Sequence, residues 1–279
     1  MSLFRASNGN KFKIVNGSAK VRVATSKVLY FNGAVDSDWN TLGNWWLDSN
    51  FTVQATHLPR SIDSVIASST ISINSGSQPT VVDFTLLDPD YNDYPYLNIE
   101  ITVTDNAIFN DSSTNYGTIN GNATFNGSYN NGTINGDATV NDSSYNDGTI
   151  NGDATFNDGS YNNGIINGNA TFNNGSNNYS TIYGDCIFNN DSYNNLGIIY
   201  GNATFNDNTV NSGGSITVNA VFNDSTINAG VVYGNAIFNN NSTNNGFVAN
   251  IATFNDLSCN NPPSGTATTF IPDPPPSCP

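Results

Sequence analysis

Positive charge is absent from most of this chain. All seven Lys and Arg residues lie within the first 60 positions, and residues 61–279 contain none. The 22 Asp and Glu residues leave a net charge of −15. A strongly negative protein repels phosphate groups, so we expect no nucleic-acid partner.

The side chains that most enzymes use for acid–base and nucleophilic chemistry are also scarce. The chain has one His, His57, one Glu, Glu100, and no Lys after Lys27. No Ser-His-Asp set, zinc-ligand spacing, Walker loop or Gly-x-Gly-x-x-Gly segment is present. We therefore expect a protein that is not an enzyme and holds no cofactor, with His57 packed in a loop beside Leu58.

Long apolar segments and cysteines are missing too. No run of about 18 apolar residues could span a bilayer, so we expect no membrane insertion. The first 17 residues have no apolar core of the kind found in secretory signals. Three cysteines are too few for a disulfide framework. Cys259 and Cys278 flank a Pro-rich tail and could pair, whereas Cys186 is expected to be a buried, unreactive thiol.

Six of the seven basic residues lie in an N-terminal arm, residues 1–35, that contains no Asp or Glu. Apolar and polar residues alternate there around an Asn-Gly pair, in KFKIVNGSAKVRVA, which predicts a β-hairpin. The arm is either a solvated strand pair or a docking segment for an acidic structural partner. The candidate docking residues are Arg5, Lys11, Lys13, Lys20, Arg22 and Lys27.

The dominant feature is a repeat of 15–17 residues across residues 106–256. A near-constant period of this size is typical of a solenoid, in which each repeat forms one coil and buries its apolar residues only by stacking on its neighbours. The pattern Ala-x-Phe-Asn recurs in the repeats, with Val140 replacing Phe in one and Cys186 replacing Ala in another. The large apolar residues of this column are Phe109, Phe125, Val140, Phe156, Phe172, Phe188, Phe205, Phe222, Phe238 and Phe254.

Apolar residues recur at three places in each repeat, about five residues apart, as in Phe156, Tyr161 and Ile166. This spacing predicts three short faces with one bulky inward side chain each. A small residue, usually Ala, stands two positions before each Phe and therefore points the same way in a strand. The sequence thus predicts an all-β, single-stranded parallel β-solenoid of ten three-sided coils of about 16 residues.

Asn, Gly and Asp mark the positions between the apolar residues. Asn recurs in two columns, one directly after the Phe position and one directly after the second apolar position of the repeat. Asn tolerates left-handed backbone, and stacked Asn amides can form hydrogen bonds with their copies above and below, so these columns predict turns and ladders. A Gly column predicts a corner with positive φ or close backbone approach. A column of Asp residues predicts another corner, and weak Ca²⁺ binding is the alternative interpretation. Its members are Asp111, Asp142, Asp158, Asp207, Asp224 and Asp256.

The segments on either side of the repeats are expected to cap the solenoid. Residues 36–105 form a Trp-containing β-rich module, and residues 257–279 form a Pro-rich tail that cannot continue a strand ladder. The Trp side chains either stack on sugars or plug the first coil, and we expect the plug. An irregular stretch holds three acidic residues that predict a solvated loop, with Ca²⁺ binding as the alternative: Asp88, Asp90 and Asp93.

The upstream module carries a resemblance to a known family. Trp39, Trp45 and Trp46, with Leu58-Pro59 and Asp63-Ser64-Val65, resemble the Trp-Asn-Trp module that precedes β-solenoids in bacterial surface proteins and in structural proteins of phages and algal viruses. The repeats are similar to the Asn-rich "ATFNDSSYNNG" arrays of such proteins. The resemblance covers roughly residues 28–256 and implies architecture more than function, because the hosts and ligands of the family vary widely.

Three functions fit these features. The first is a virion surface fibre, spike or capsid-associated protein, with the arm docked, the acidic solenoid projecting outward, and a homo-oligomer or many copies on a symmetric platform. The second is a bacterial cell-surface adhesin or filament subunit. The third is an ice- or glycan-binding solenoid, touching ice or host-surface glycans through outward Thr residues, namely Thr124, Thr139, Thr155, Thr171 and Thr204.

Overall fold

The protein is an all-β solenoid. The computed structural model describes residues 26–35, 38–67, 80–81, 83–86, 98–99, 101–261, 269–271 and 278. These residues contain one 3-10 turn, Leu42–Asn44, and no α-helix; their strands are two to four residues long. Almost every strand pairs in parallel with its copies in the coils before and after it, which confirms the predicted β-solenoid.

Three sheets form the three sides, and the chain visits them in the order I, II, III within each coil. Sheet I has fifteen strands, of which only the pair Val28–Phe31 and Trp45–Trp46 is antiparallel. Its strands are Val28–Phe31, Trp45–Trp46, Ser64–Ala67, Phe84–Leu86, Ala107–Asn110, Ala123–Asn126, Ala138–Asn141, Ala154–Phe156, Ala170–Phe172, Cys186–Phe188, Ala203–Phe205, Ala220–Phe222, Ala236–Phe238, Ile251–Phe254 and Thr269–Ile271.

Sheets II and III have eleven strands each. Those of sheet II are Asn98–Ile99, Thr114–Asn115, Tyr129–Asn130, Tyr145–Asn146, Tyr161–Asn162, Asn177–Asn178, Tyr193–Asn195, Val210–Ser212, Ile227–Asn228, Thr243–Asn244 and Cys259–Asn260. Those of sheet III are Thr80–Val81, Thr102–Val103, Thr118–Ile119, Thr133–Ile134, Thr149–Ile150, Ile165–Ile166, Thr181–Ile182, Ile198–Ile199, Ser215–Ile216, Val231–Val232 and Phe247–Val248.

The stack extends beyond the ten repeats at both ends. Strands Phe84–Leu86, Asn98–Ile99 and Thr102–Val103 make a further three-sided coil before residue 106. At the other end Thr269–Ile271 pairs with Ile251–Phe254. Fifteen strands give fourteen spacings in sheet I, which at about 4.8 Å each amount to roughly 67 Å.

Two sides of each coil bury apolar residues, as the repeat predicts. The Phe and Ala columns of sheet I and the Ile column of sheet III point inward and are almost fully buried. Consecutive Phe rings stack with centroids 4.7–5.0 Å apart, interrupted only by Val140. The predicted core residues Phe109, Phe125, Phe156, Phe172, Phe188, Phe205, Phe222, Phe238 and Phe254 all belong to this core.

The third side is polar inside, and here the prediction of a bulky inward residue is wrong. In sheet II, Tyr161 points outward while Ser160 and Asn162 have no exposed surface. The polar groups are satisfied, since Ser160 Oγ donates to the Asn157 carbonyl and Asn162 joins an amide ladder. Burial of a hydrogen-bonded polar group carries little penalty, so the apolar spacing alone does not decide which residue faces inward.

Two amide ladders run the length of the repeats. In the inner ladder, from Asn115 to Asn260, each Asn Nδ2 donates to the Asn Oδ1 of the next coil at 2.7–2.9 Å. In the outer ladder, from Asn110 to Asn255, each Nδ2 donates to the preceding coil. The predicted ladders are therefore confirmed, but the inner column lies on buried strands rather than at corners.

The corner between sheets I and II uses left-handed backbone. In most coils two successive residues have positive φ, as in Asp158 and Gly159 at 54° and 73°. Every member of the predicted Asp corner column has positive φ, which confirms that it turns the chain: Asp111, Asp142, Asp158, Asp207, Asp224 and Asp256. The Gly column at the corner between sheets III and I serves close approach instead, because a Cβ on Gly152 would lie 2.4 Å from the Gly136 carbonyl oxygen.

The aromatic cluster upstream is part of the core. Trp45 is fully buried and Trp39 nearly so, and both belong to the same core as the coils, as the plug interpretation predicts. The Trp45 Nε1 donates to the Trp39 carbonyl at 2.8 Å, and the Trp45 ring meets Phe31 edge-on at 4.9 Å. Trp46 is only half-buried and donates from Nε1 to Asn32 Oδ1.

The cysteines divide into one disulfide and one thiol. Cys259 and Cys278 are bonded, which settles the pairing that the sequence left open and ties the tail to the last strand of sheet II. Cys186 occupies the inward Ala column between Ala170 and Ala203. Burial raises the pKa of the Cys186 thiol well above its usual value, so the thiolate needed for reaction is not formed.

Candidate interaction surfaces

Lys27, the last of the candidate docking residues, directly precedes the first strand of sheet I. Lys27 is exposed; its N–H donates to Asp63 Oδ1 at 2.9 Å and its carbonyl accepts from Ser64 N. These bonds hold Lys27 in place at the start of sheet I, a position that we call the arm exit. The other candidate docking residues lie outside the described residues: Arg5, Lys11, Lys13, Lys20 and Arg22.

An ion pair secures this exit point. The buried carboxylate of Asp63 accepts bonds from Arg60 Nε at 2.8 Å and Arg60 Nη2 at 2.9 Å. Burial acts to raise the pKa of Asp63, but the hydrogen bonds from Arg60 and from the Lys27 N–H outweigh it and hold the pKa below its usual value. His57 lies half-buried with Nδ1 2.9 Å from the Leu58 carbonyl oxygen, a packed loop residue as expected.

The predicted Thr contacts lie together on the outer face of sheet I. They occupy one in-register column and are half-buried: Thr124, Thr139, Thr155, Thr171 and Thr204. The same column also contains apolar β-branched residues, namely Ile108, Ile187, Val221 and Ile237. We call the whole column the outer stripe of sheet I.

Acidic residues border this stripe on both sides, which the sequence analysis did not recognise. Of the twelve Asp residues in 101–261, eleven stand within three residues of a sheet I strand, and only Asp147 lies at the corner between sheets II and III. All twelve are exposed. The acidic borders are Asp105, Asp137, Asp153 and Asp185 on one side and Asp111, Asp142, Asp158, Asp191, Asp207, Asp224 and Asp256 on the other.

Sheet III carries a second outward Thr column that the sequence analysis missed. Its members are Thr80, Thr102, Thr118, Thr133, Thr149 and Thr181. The signal that could have found it is the Thr-Ile pair after the corner Gly, as in Gly148-Thr149-Ile150. The two Thr columns lie on different sides of the coil, so they do not form one flat surface.

Sheet II presents a ladder of tyrosines. The rings of Tyr129, Tyr145 and Tyr161 stack with centroid distances of 5.2 and 4.7 Å. Burial, and then the neighbouring tyrosines, raise the pKa of the Tyr145 hydroxyl. Both faces of the Tyr145 ring are covered, so this ring offers a glycan its edge and hydroxyl but no face on which a sugar could stack.

Within the part of the chain that the structure describes, no three His, Cys, Asp or Glu side chains converge to hold a metal ion. Three border carboxylates accept side-chain amide bonds from the next coil: Asp158 from Asn174 at 2.9 Å, Asp224 from Asn240 at 3.0 Å and Asp185 from Asn202 at 3.2 Å. The predicted acidic loop and the single Glu lie outside the described residues: Asp88, Asp90, Asp93 and Glu100. No helix among the described residues is long and apolar enough to cross a bilayer.

Comparison with known proteins gives no match. No protein-family model, curated protein or solved structure matches this chain. The resemblance to solenoid proteins with a Trp-Asn-Trp module therefore stays a prediction from the residues.

Proposed function

We propose that the protein is a non-catalytic structural component of a virus particle, located at its surface as a fibre, spike or capsid-associated protein. The basic arm docks onto an acidic partner in the particle, and the acidic solenoid projects outward. The observation that carries this proposal is the unbroken stack, in which fifteen strands of sheet I follow one another in register.

Stiffness along the stack supports a projecting role. Neighbouring coils are joined by backbone hydrogen bonds on three sides, by stacked Phe rings and by two amide ladders. Hydrogen bonds in a ladder polarise one another, and the inner ladder lies where water does not compete. Bending or parting two coils must strain all of these contacts at once, as a shaft requires.

The distribution of titratable groups supports a structural role as well. The border Asp side chains are spread along exposed corners, whereas Arg60 and His57 lie beside the buried Asp63. Acid–base catalysis needs groups whose environments push their pKa values apart around a shared space. The Asp63 cluster instead secures the loop at the arm exit.

Composition analysis of purified particles tests the proposal. Virus particles from cultures of the source organism, separated on a density gradient, should contain this chain at a fixed ratio to the major capsid protein across the peak. Detection of the chain in the cell-envelope fraction, with none in particles, would contradict the proposal and favour the adhesin alternative. Thermal hysteresis of the purified chain would instead favour the ice-binding alternative.

A further inference from the structure

The outer face of sheet I combines apolar and acidic surface in a regular arrangement. The outer stripe runs along its middle, where Ile187 and Ile237 are 42% and 39% exposed. Its acidic borders stand about five residues apart across one coil, as with Asp153 and Asp158, which at about 3.3 Å per residue is roughly 16 Å. A ligand for this face must bring apolar groups to its centre and positive charge to both sides.

Residues 61–279 contain no Lys or Arg, so no other part of the repeats can supply that charge. The N-terminal arm has the complementary composition. Its sequence alternates cationic and apolar residues, with Lys11 and Lys13 beside Phe12 and Ile14, and it carries no acidic residue. In an extended segment such alternation places apolar side chains on one side and cationic ones on the other.

The dimensions of Lys and Arg side chains fit the borders. Their aliphatic stems can lie across apolar surface while the charged ends reach sideways toward water and counter-charges. Half of the border-to-border width is about 8 Å, close to the reach of an extended Lys or Arg side chain. Apolar residues of the arm would then lie on the outer stripe while its cations meet both borders.

We propose that the outer face of sheet I in one copy of this chain binds residues 1–27 of the basic arm of a second copy. The contact is heterologous, because an arm meets a face, so each copy both donates and receives and the assembly can extend. The proposed contact extends the structural role proposed above. It rests on that role in one respect, namely that many copies of the chain are present together. Within residues 101–261 the corner between sheets II and III holds one Asp, Asp147. Sheets II and III therefore have a regular acidic border on one side only, and attract the arm less than sheet I does.

Salt dependence is the first property to measure. Between about 0.1 M and about 1 M salt the Debye length falls from roughly 10 Å to roughly 3 Å, so contacts between exposed charges weaken strongly. Sedimentation velocity of the full chain, over the widest practical concentration range, should show association at low salt that is lost at high salt. A chain that stays monomeric throughout, or associates equally at both salt concentrations, overturns the proposal.

A matched pair of substitutions then locates the face. Thr155→Lys places a cation on the outer stripe of sheet I, and Thr149→Lys places the same cation on sheet III in the same turn of the chain. Both threonines are half-buried strand residues, so the change in net charge and the strand context are the same. We expect Thr155→Lys to raise the dissociation constant about tenfold by repelling the arm, and Thr149→Lys to change it less than about twofold. Equal effects of the two variants overturn the assignment to sheet I.

Mixing two complementary variants distinguishes an arm that binds a second copy from an arm that folds onto its own solenoid. The double variant Lys13→Glu with Arg22→Glu keeps a normal face but has a weakened arm, and Thr155→Lys keeps a normal arm but has a weakened face. Each variant alone should associate at least about tenfold more weakly than the wild type, whereas a mixture should associate with close to the wild-type dissociation constant, because the normal arm of one meets the normal face of the other. A mixture that stays monomeric, with both variants showing the native circular dichroism spectrum, overturns the proposal. The result is independent of whether the chain occurs in virus particles.

Discussion

At the scale of single residues, the Asn columns show how hydrogen bonding selects between Asn and Asp. Each inner-ladder Asn, such as Asn162, uses both its Nδ2 donor and its Oδ1 acceptor, and all ten positions from Asn115 to Asn260 are Asn. At the corner before sheet I the side chain accepts a bond from the next coil's backbone N–H, a contact that needs no donor, and both residues occur, as in Asn122 and Asp137. A carboxylate accepts but cannot donate, so only the second column tolerates it.

The same Asn→Asp substitution should therefore lower the stability strongly at the first position and very little at the second. Asn162→Asp buries a carboxylate that faces the Oδ1 of Asn178, and we expect it to lower the free energy of unfolding by about 3 kcal/mol or more at neutral pH. Asn122→Asp reproduces what Asp137 already does, and should cost less than about 0.5 kcal/mol. Denaturant unfolding of both variants measures the difference.

The pH dependence of Asn162→Asp gives an internal control for that result. Burial raises the pKa of the new carboxyl above its unfolded value, so the loss of stability should shrink as the pH falls and the group becomes a neutral donor. A deficit that is the same at acid and neutral pH would show that charge and the missing donor are not its cause.

The ion pair at the arm exit predicts a second pH effect. The folded-state pKa of Asp63 is depressed, so its contribution to stability is complete above the unfolded value of about 3.9 and is lost as the pH falls through the lower folded value. Asp63→Asn should lower stability by about 2 kcal/mol at neutral pH. Wild type and variant should converge in thermal unfolding at low pH, and a gap that persists there would contradict this role.

At the scale of the structural element, corners absorb changes in coil length while strands stay in register. The 15-residue coil turns on Gly127 alone, where other coils use two successive left-handed residues. The two 17-residue coils have an extra left-handed residue at the next corner, Leu196 in one and Gly213 in the other. Strand pairing is unshifted on both sides of each, because an extra corner residue changes no inward side chain.

Corner glycines differ in what they require, and a matched pair of Gly→Ala substitutions separates the causes. A Cβ at Gly148 would lie 2.1 Å from the Gly132 carbonyl oxygen, whereas a Cβ at Gly175 meets no atom within 4 Å but has a φ of 75°. We expect Gly175→Ala to cost about 1–2 kcal/mol from its left-handed backbone. Gly148→Ala should cost clearly more, because backbone atoms of two coils must move apart.

Thermal unfolding of the two Gly→Ala variants, followed by circular dichroism at the β-sheet minimum, ranks their stabilities. A midpoint for Gly148→Ala equal to or above that of Gly175→Ala would contradict the close approach of successive coils at this corner.

At the scale of the whole molecule, the solenoid is a one-dimensional stack, so its ends are its weak points. Each coil contacts only its neighbours, and a terminal coil lacks one of them. Upstream, Trp39 and Trp45 continue the core, and downstream the strand Thr269–Ile271 covers Ile251–Phe254, the sheet I strand of the last repeat. The disulfide between Cys259 and Cys278 holds the tail against this end.

Removal of the disulfide should loosen one end and leave the middle unchanged. We expect Cys278→Ser to lower stability by about 3 kcal/mol, the value for a closed loop of this length, and to raise amide hydrogen exchange in the last coils. Exchange around Phe156 should stay the same, because coupling is between neighbours. Cys186→Ala is the control, since it removes the buried free thiol from the Ala column. Uniformly faster exchange along the chain would contradict the one-dimensional behaviour.

The sequence by itself determined the period and most of the inward positions. Ten repeats of Ala-x-Phe-Asn or a close variant predicted that Phe125, Phe156 and their counterparts stack in one row, because a solenoid buries a residue repeated every 15–17 positions by placing each copy on the next. Left-handed corners at the Asp column followed from the known tolerance of Asp, Asn and Gly for positive φ. The Asn ladders followed from stacking identical amides one strand spacing apart.

Only the tertiary structure decided which of two adjacent residues with the same repeat period faces the core, and which surface columns lie side by side. Tyr161 and Asn162 are adjacent, and the apolar pattern favours Tyr161 inside; the amide ladder reverses this, because its energy depends on copies 16 residues away rather than on local hydrophobicity. The acidic borders likewise depend on the direction in which each corner turns. Such properties belong to contacts between coils, and a pattern read along one coil does not contain them.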